Sequence, residues 1–245
     1  MDRLSDAPEY LDGPLDDGAT IVGNLRDLRR ANRLLGGVAL SDWGVRLLLD
    51  GFRDVQTVLD VGTGGADIPL ALLAAARRDS RELRVHATDS RAEILDAARA
   101  ARPGIDRVDG LLLELVDGTR LPYPDDSFDV VHTSLVVHHL EPDDAVVFLR
   151  ELGRVARRGV VVNDLQRGRL AWVGAWLMGH LLTSNRFTRH DAPLSVRRAY
   201  TLAEMRALLD RAGLREIEAR RGPFGHRYAV VARRREQSRE PGESA

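Results

Sequence analysis

The spacing of apolar positions changes near residue 55 and divides the chain into a helical start and an alternating remainder. Apolar residues recur at helical spacing from residue 20 to residue 35, with arginines between them: Ile21, Leu25, Leu28 and Leu35. A second helix is predicted over residues 41–50, so residues 19–54 should form a helical cap. Residues 1–18, rich in Asp, Pro and Gly, are predicted to be a flexible arm.

Short apolar strands and amphipathic helices alternate after residue 55. Strands are predicted at residues 57–61, 83–88, 111–116, 128–133 and 160–162, and helices at 66–78, 91–101 and 143–157. This alternation is typical of an α/β fold whose mostly parallel sheet is covered by helices on both faces. We therefore expect residues 55–233 to form one domain.

The alternation of strands and helices is interrupted once, after the fifth strand, and then resumes to the end of the domain. Residues 167–199 are helical, aromatic and rich in arginine, which predicts an insertion after the fifth strand that overhangs the sheet edge. A helix over residues 202–212 resumes the alternation, and residues 214–221 and 227–233 predict an antiparallel hairpin. Residues 234–245 are charged and predicted to be a flexible tail.

Composition excludes several chemistries. All 36 basic residues are arginine, so a Schiff-base lysine and a P-loop lysine are absent, and the lack of cysteine removes thiolate chemistry and disulfides. The net charge of −1 provides no basic field for a long phosphate backbone, so no nucleic-acid partner is expected. Nothing resembles a signal peptide or a membrane-inserted segment, and a cytoplasmic location is expected.

The glycine-rich turn after the first predicted strand carries the clearest functional signal. In the segment VLDVGTGGAD, residues 58–67, Gly62 and Gly64 let the backbone approach a ligand closely. The third spaced glycine of a dinucleotide site is missing, and Asp67 at the helix start would repel a pyrophosphate. The turn therefore predicts an adenosyl ligand without phosphates.

Two acids follow at the ends of the next strands. Asp89 ends the second strand, where a carboxylate can accept hydrogen bonds from both ribose hydroxyls, and Asp117 ends the third strand, near where an adenine edge would lie. In an open sheet, ligands bind beyond the carboxyl ends of the strands, which is where these acids and the glycine turn converge. The alternative is that Asp89 and Asp117 only cap turns.

These motifs resemble those of class I S-adenosylmethionine-dependent methyltransferases, of the small-molecule type found in bacterial secondary-metabolite and quinone biosynthesis. The matching segments are residues 58–70, 85–90, 115–123, 128–140 and 149–162. The resemblance implies a Rossmann-like, seven-stranded sheet with strand order 3-2-1-4-5-7-6. It implies S-adenosyl-L-methionine as the cofactor and S-adenosyl-L-homocysteine as its product.

The resemblance also implies roles for individual residues. Asp60, Gly62, Thr63 and Gly64 would surround the methionine moiety, Asp89 would hold the ribose, and Ser90 would lie beside the adenine. Asp117 and Gly118 would meet the adenine edge, and Thr133 and Ser134 would form the floor under the sulfonium.

Two classes of methyl acceptor can be excluded from the sequence. The signature of amino-group methyltransferases acting on adenine or glutamine is absent after the fourth strand, and cytosine C5 enzymes need a cysteine. We expect O-methylation of a small, phenolic or polyketide-like metabolite. C- or N-methylation, and cofactor binding without methyl transfer, stay open; RNA methylation is weaker because acids balance the arginines. A homodimer is possible.

Three histidines are candidates for a general base that deprotonates an acceptor hydroxyl: His139, His138 and His190. His139 and His138 follow the fourth strand, and His190 lies in the insertion; each could instead simply pack or face solvent. No metal is expected, because Asn163 and Asp164 supply at most half of an oxygen cage for magnesium.

Overall fold

Seven strands form a single sheet in the computed structural model, which describes residues 1–5, 7–15, 17–52 and 54–235. The strands are β1 (Gln56–Val61), β2 (Leu83–Asp89), β3 (Leu111–Leu115), β4 (Phe128–Ser134), β5 (Ala156–Leu165), β6 (Leu214–Arg221) and β7 (Arg227–Arg234). Their order is β3-β2-β1-β4-β5-β7-β6, and only β7 runs antiparallel to its neighbours. The Rossmann-like fold and the strand order are confirmed.

Eight α-helices in the described part of the chain surround the sheet. They are α1 (Gly18–Leu34), α2 (Gly37–Leu49), α3 (Asp67–Arg78), α4 (Ala92–Ala101), α5 (Pro142–Val155), α6 (Arg169–Leu181), α7 (Arg186–Arg198) and α8 (Leu202–Arg211). Helices α2 and α3 share one buried apolar cluster with the sheet, and α5 and α8 share another. Helices cover both faces of the sheet, which explains why β4 is buried from Phe128 to Thr133 rather than at alternate positions.

The amphipathic pattern of α5 shows how the sequence fixes this layer. Ala145, Leu149 and Leu152 recur at helical spacing and are fully buried, whereas Asp143 and Arg150 point to solvent. Pro142 occupies the first turn, where its missing N–H costs no hydrogen bond. The buried stripe therefore seats α5 against β4 and β5.

The largest differences from the expected boundaries lie at the starts of β5 and α2, and α5 ends at Val155 rather than residue 157 because β5 begins there. Strand β5 begins at Ala156 rather than residue 160, because Arg157 and Arg158 both bind the carboxylate of Asp129 on β4, each at 3.0 Å. Helix α2 begins at Gly37 rather than residue 41. The insertion after β5 consists of α6 and α7, and the tail expected over residues 234–245 lies, from residue 236 onward, outside the described residues.

The amino-terminal segment, expected as a flexible arm, makes specific contacts over the carboxyl edge of the sheet. Arg3 binds the carboxylate of Glu141 and the carbonyl of Leu140, and Glu9 is buried. These contacts pair charges that are far apart in the sequence, so composition alone gave no sign of them. None of the described helices is both long and apolar enough to cross a bilayer.

Candidate functional site

The glycine turn joins the ends of β1 and β2. The N–H groups of Gly62 and Thr63 both donate to the carbonyl of Thr88, at 2.8 Å each. Gly62 has a φ of +76°, and a Cβ there would lie 2.3 Å from Cγ2 of Val136. A larger residue would therefore be strained and would clash. The Oγ1 of Thr63 is buried and has no hydrogen-bond partner among the described residues.

Asp89 is tied to this turn by its carboxylate. Oδ2 accepts the N–H of Gly64 at 3.0 Å, and Oδ1 accepts the N–H of Arg91 at 3.1 Å. Burial raises the pKa of Asp89 above its usual value, although these hydrogen bonds oppose the shift. A carboxylate has about four acceptor positions. Two remain available to a ligand diol, and Ser90 lies exposed beside them.

Asp117 has a local structural role. Its Oδ1 accepts the N–H of Thr119 at 2.8 Å and the hydroxyl of Thr119 at 2.7 Å, as in a capped turn. The next residue, Gly118, packs closely on Val61 and Phe148. One carboxylate oxygen of Asp117 therefore caps the turn, as the alternative interpretation of the sequence predicted. The other oxygen makes no contact within the turn.

Asp60 is buried and has an internal partner. Its Oδ1 lies 2.5 Å from Nδ1 of His132 on β4, and Nε2 of His132 lies 2.7 Å from the hydroxyl of Ser41 on α2. Sequence reasoning assigned Asp60 to the methionine moiety and did not single out His132. The neighbouring Thr133 donates its hydroxyl to the carbonyl of Val61 at 2.9 Å.

A buried guanidinium extends this polar network to β7. Arg227 donates to Asn163 at 3.1 Å, to Asn32 at 2.9 Å and to the hydroxyl of Ser134 at 3.3 Å. Asn32 in turn donates to Asp67 at 3.1 Å. Burial lowers the pKa of Arg227 to about 10, while nearby carboxylates oppose the shift. Sequence reasoning missed Arg227 and Asn32, which are 195 positions apart, because no local pattern connects them.

Two candidate histidines stand side by side after β4. In the single turn Val137–His139, Nδ1 of His138 lies 2.7 Å from Oδ1 of Asp164, and Nδ1 of His139 lies 2.9 Å from Oδ1 of Asp12. His138 is buried and His139 is partly exposed. In each ring a carboxylate occupies the Nδ1 side, which leaves Nε2 directed toward Glu9, at 3.8 Å and 3.9 Å.

Glu9 is the centre of this cluster. Its Oε1 is buried without a hydrogen-bond partner among the described residues, and Arg198 lies 3.9 Å from it. Burial raises the pKa of Glu9 to about 7, against the lowering effect of His139. Burial also opposes ionisation of Asp12, but hydrogen bonds from His139 and Arg198 hold the pKa of Asp12 below its usual value. Sequence reasoning missed Glu9, which lay in the expected arm.

Glu9, His138 and His139 offer three ligand atoms within 4.8 Å of one another, a set that could hold a divalent cation. The nearby guanidinium of Arg198 opposes a bound cation. Asn163 and Asp164, considered from the sequence as half of an oxygen cage for magnesium, contact protein side chains instead: Asn163 binds Arg227, and Asp164 binds His138.

His190 is placed differently from the other two. It lies on α7, half exposed, with its ring stacked on Tyr10 at a centroid distance of 3.9 Å. Its Nδ1 is 2.7 Å from Oδ1 of Asp191, whose carboxylate also accepts the N–H groups of Tyr10 and Leu11. His190 therefore helps to hold the amino-terminal segment.

The burial of Glu9 makes a prediction about stability and pH. An unfolded Glu loses its proton near pH 4.5, whereas Glu9 in the folded chain keeps it to about pH 7. The folded state binds more protons between these values, so stability should fall as pH rises from 4.5 to 7, by about 3 kcal/mol, and level off above 7.

Glu9→Gln is neutral at every pH and should lack this decrease. Denaturant unfolding of both proteins at pH 4.5, 6 and 8 measures the difference. Equal pH dependence of the two proteins would show that Glu9 does not titrate in this range. Asp12 titrates below this window and contributes equally to both.

Comparisons with known proteins agree with this geometry. Residues 59–162 match a family model described as a methyltransferase domain. A malonyl-[acyl-carrier protein] O-methyltransferase from Halorhodospira halophila is 37% identical over 108 residues, which are 44% of this chain and 34% of that protein. The chain thus spans about a third of the length of the curated relative it matches.

Solved structures share the fold at low identity. A SAM-dependent methyltransferase from Aquifex aeolicus has a TM-score of 0.59 and 19% identity, over 89% of this chain and 98% of that one. Human N-acetylserotonin methyltransferase, solved with SAM, has a TM-score of 0.65 and 13% identity, over 89% of this chain and 56% of that one. Magnesium protoporphyrin IX methyltransferase from Synechocystis, solved with SAH, has a TM-score of 0.57 and 16% identity, over 91% of this chain and 90% of that one. The chain therefore has the fold of these methyltransferases, and residues 59–162 match the methyltransferase-domain family.

Proposed function

We propose that this chain, with a methyltransferase domain at residues 59–162, transfers a methyl group from S-adenosylmethionine to a small acceptor. The observation that carries the proposal is the junction of Asp89 with the glycine turn. There, a half-buried carboxylate at the end of β2 is hydrogen-bonded to the backbone of Gly64 and keeps two acceptor positions for a diol.

The residues at this edge fit the cofactor. The backbone at Gly62 leaves no room for a side chain, the hydroxyl of Thr63 finds no partner among the residues that the structure describes, and Asp89 matches a ribose diol. Ser90, Asp117 and Gly118 would border the adenine, and Ser134 would lie near the sulfonium. When bound, the cofactor supplies an electrophilic methyl group, and the chain holds it in line with the acceptor.

The acceptor we favour is a phenolic or polyketide-like metabolite, methylated on oxygen. Trp172 and Met178 on α6 and Phe187 on α7 give the insertion an apolar, partly buried side. Aromatic and apolar surfaces suit such an acceptor better than a nucleic acid, and the balanced charge points the same way. A cytoplasmic location fits this activity.

We propose His139 as the base that removes the acceptor proton. Asp12 lies at its Nδ1, an arrangement in which a carboxylate fixes the tautomer and leaves Nε2 to accept a proton. His138 has the same arrangement with Asp164 but is fully buried, and His190 stands on another helix. They are the second and third candidates.

A carboxylate acceptor is a second candidate. The curated relative is named for O-methylation of a malonyl-acyl carrier protein. A carboxylate is already ionised at neutral pH, so its methylation would need positioning and no base.

Two measurements test the proposal. Calorimetry should show binding of S-adenosylhomocysteine. Incubation with radiolabelled S-adenosylmethionine should label phenols, hydroxylated quinones or a malonyl thioester. Binding without labelling of any acceptor would favour a cofactor-binding protein that does not transfer methyl. An absence of binding would contradict the proposal altogether.

A further inference from the structure

Helix α6 exposes an apolar face that nothing in the described part of the chain covers. Four residues spaced by three or four positions form it: Leu170, Val173, Leu177 and Leu181, which are 88%, 45%, 42% and 72% exposed. Leu182, 75% exposed, continues the face past the end of the helix. Isolated exposed apolar residues are common, but a continuous row marks an interaction surface.

Packing against α7 fixes the orientation of this face. Gly179 is the one buried residue of α6, and a Cβ there would lie 3.3 Å from Cα of Arg189. The two helices therefore meet closely at Gly179. Asn185 caps the amino-terminal end of α7 and donates to the carbonyl of Thr20 on α1 at 2.8 Å. The apolar row points outward from a well-anchored pair of helices.

The segment that carries α6 has an excess of positive charge. Residues 165–190 contain no Asp or Glu, and three of their arginines are exposed: Arg169, Arg186 and Arg189. Acids from outside this stretch contact it at several points: Asp17 lies 3.5 Å from Arg186, Glu204 binds Arg167, Asp27 accepts the hydroxyl of Thr183, and Asp191 contacts His190. Trp176, 42% exposed, stacks on His180 at a centroid distance of 4.5 Å. Tryptophan prefers the boundary between apolar and polar surroundings.

We propose that α6 is an interfacial helix that docks on the surface of an anionic lipid bilayer. It lies in the plane of the surface with the apolar row in the acyl region and the arginines at the phosphates. Its 13 residues are too few to span a bilayer, which needs about 20. The helix lies on the membrane and does not cross it.

A lipid surface suits this face better than a second copy of the chain. Two copies joined through α6 would bring their arginines close together, and residues 165–190 hold no acid to pair with them. Anionic headgroups supply the missing negative charge. Helix α7 also reaches the site described above, because Arg198 binds the carbonyl of His139 at 2.6 Å. Docking does not depend on the proposed reaction.

Vesicle sedimentation of the full chain tests the proposal. We expect at least tenfold stronger partitioning to phosphatidylcholine vesicles with about 30% phosphatidylglycerol than to phosphatidylcholine alone. Leu170→Asp with Leu181→Asp should weaken binding more than tenfold, because two exposed leucines no longer enter the acyl region. Arg169→Gln with Arg189→Gln should cost about fivefold per arginine on the anionic vesicles only.

Leu112→Asp is the matched control. Leu112 is 47% exposed on β3, at the edge of the sheet away from β5 and its insertion, and its change should leave partitioning unaltered. Circular dichroism checks that each variant is folded. Equal binding of the parent and the leucine double variant would overturn the proposal. The proposal would also be overturned if the parent does not bind vesicles and light scattering shows that it is a dimer, which the leucine double variant dissociates.

Discussion

Asp89→Ala is expected to weaken the binding of S-adenosylhomocysteine by about 10²- to 10⁴-fold. The variant loses two hydrogen bonds from ribose hydroxyls to a charged acceptor, worth about 1.5–3 kcal/mol each. The effect should be large because the carboxylate is already oriented by the N–H groups of Gly64 and Arg91, so no ordering cost offsets the contacts. Calorimetry on the purified chain measures it.

Asp117→Ala is the comparison for this experiment. Asp117 also ends a strand, but one of its oxygens caps a turn through Thr119, so we expect a loss of about tenfold, one hydrogen bond's worth. Thermal unfolding separates lost binding from lost structure, because Asp89 also holds the glycine turn. A folded Asp89→Ala variant that binds with unchanged affinity would remove the proposed cofactor site.

His139→Ala is expected to lower kcat for a phenolic acceptor by about 10²- to 10⁴-fold near pH 7. A phenol has a pKa near 10, so only about one molecule in a thousand is ionised at pH 7. Removal of the proton by a positioned base typically contributes that range of rate. The rate of the variant should recover as pH rises toward 9, because hydroxide ionises the acceptor instead.

His190→Ala and His138→Ala complete the set. His190 is half exposed and stacked on Tyr10, so its loss should mainly loosen the amino-terminal segment and raise KM. His138 is buried against Asp164, so its loss should reduce stability as well as rate. If all three variants keep kcat within threefold of the parent across pH 6–9, base catalysis by histidine is wrong and positioning accounts for the reaction.

The Glu9 cluster gives the histidine experiment a second readout. Glu9 faces Nε2 of both His138 and His139, and its pKa of about 7 lets it exchange protons near neutral pH. If His139 passes its proton toward Glu9, then Glu9→Gln should flatten the pH dependence of kcat between 6 and 8. The same variant serves the stability measurement, so the two effects can be compared on one protein.

The sequence by itself determined the alternation of strands and helices, the glycine turn and the strand-end position of Asp89. Each depends on residues close together in the chain: apolar spacing sets which face is buried, and Gly62 sets the conformation of its own turn. The order of the seven strands came from the resemblance of the motifs. Local spacing also left the starts of β5 and α2 inexact. For β5 the reason is that the ion pairs of Arg157 and Arg158 join it to Asp129 on β4, which no local pattern shows.

Only the tertiary structure decided which distant residues meet. Glu9 lies in a segment whose composition predicted a flexible arm, yet it is buried. It faces His138 and His139, which follow it in the sequence by 129 and 130 positions. Arg227 and Asn32 pair across 195 positions, and the apolar row of α6 has the same periodicity in the sequence as the buried face of a helix. The physical reason is the same throughout. Spacing along a chain records which residues share a face, but burial, pKa shifts and free surfaces depend on what packs against that face.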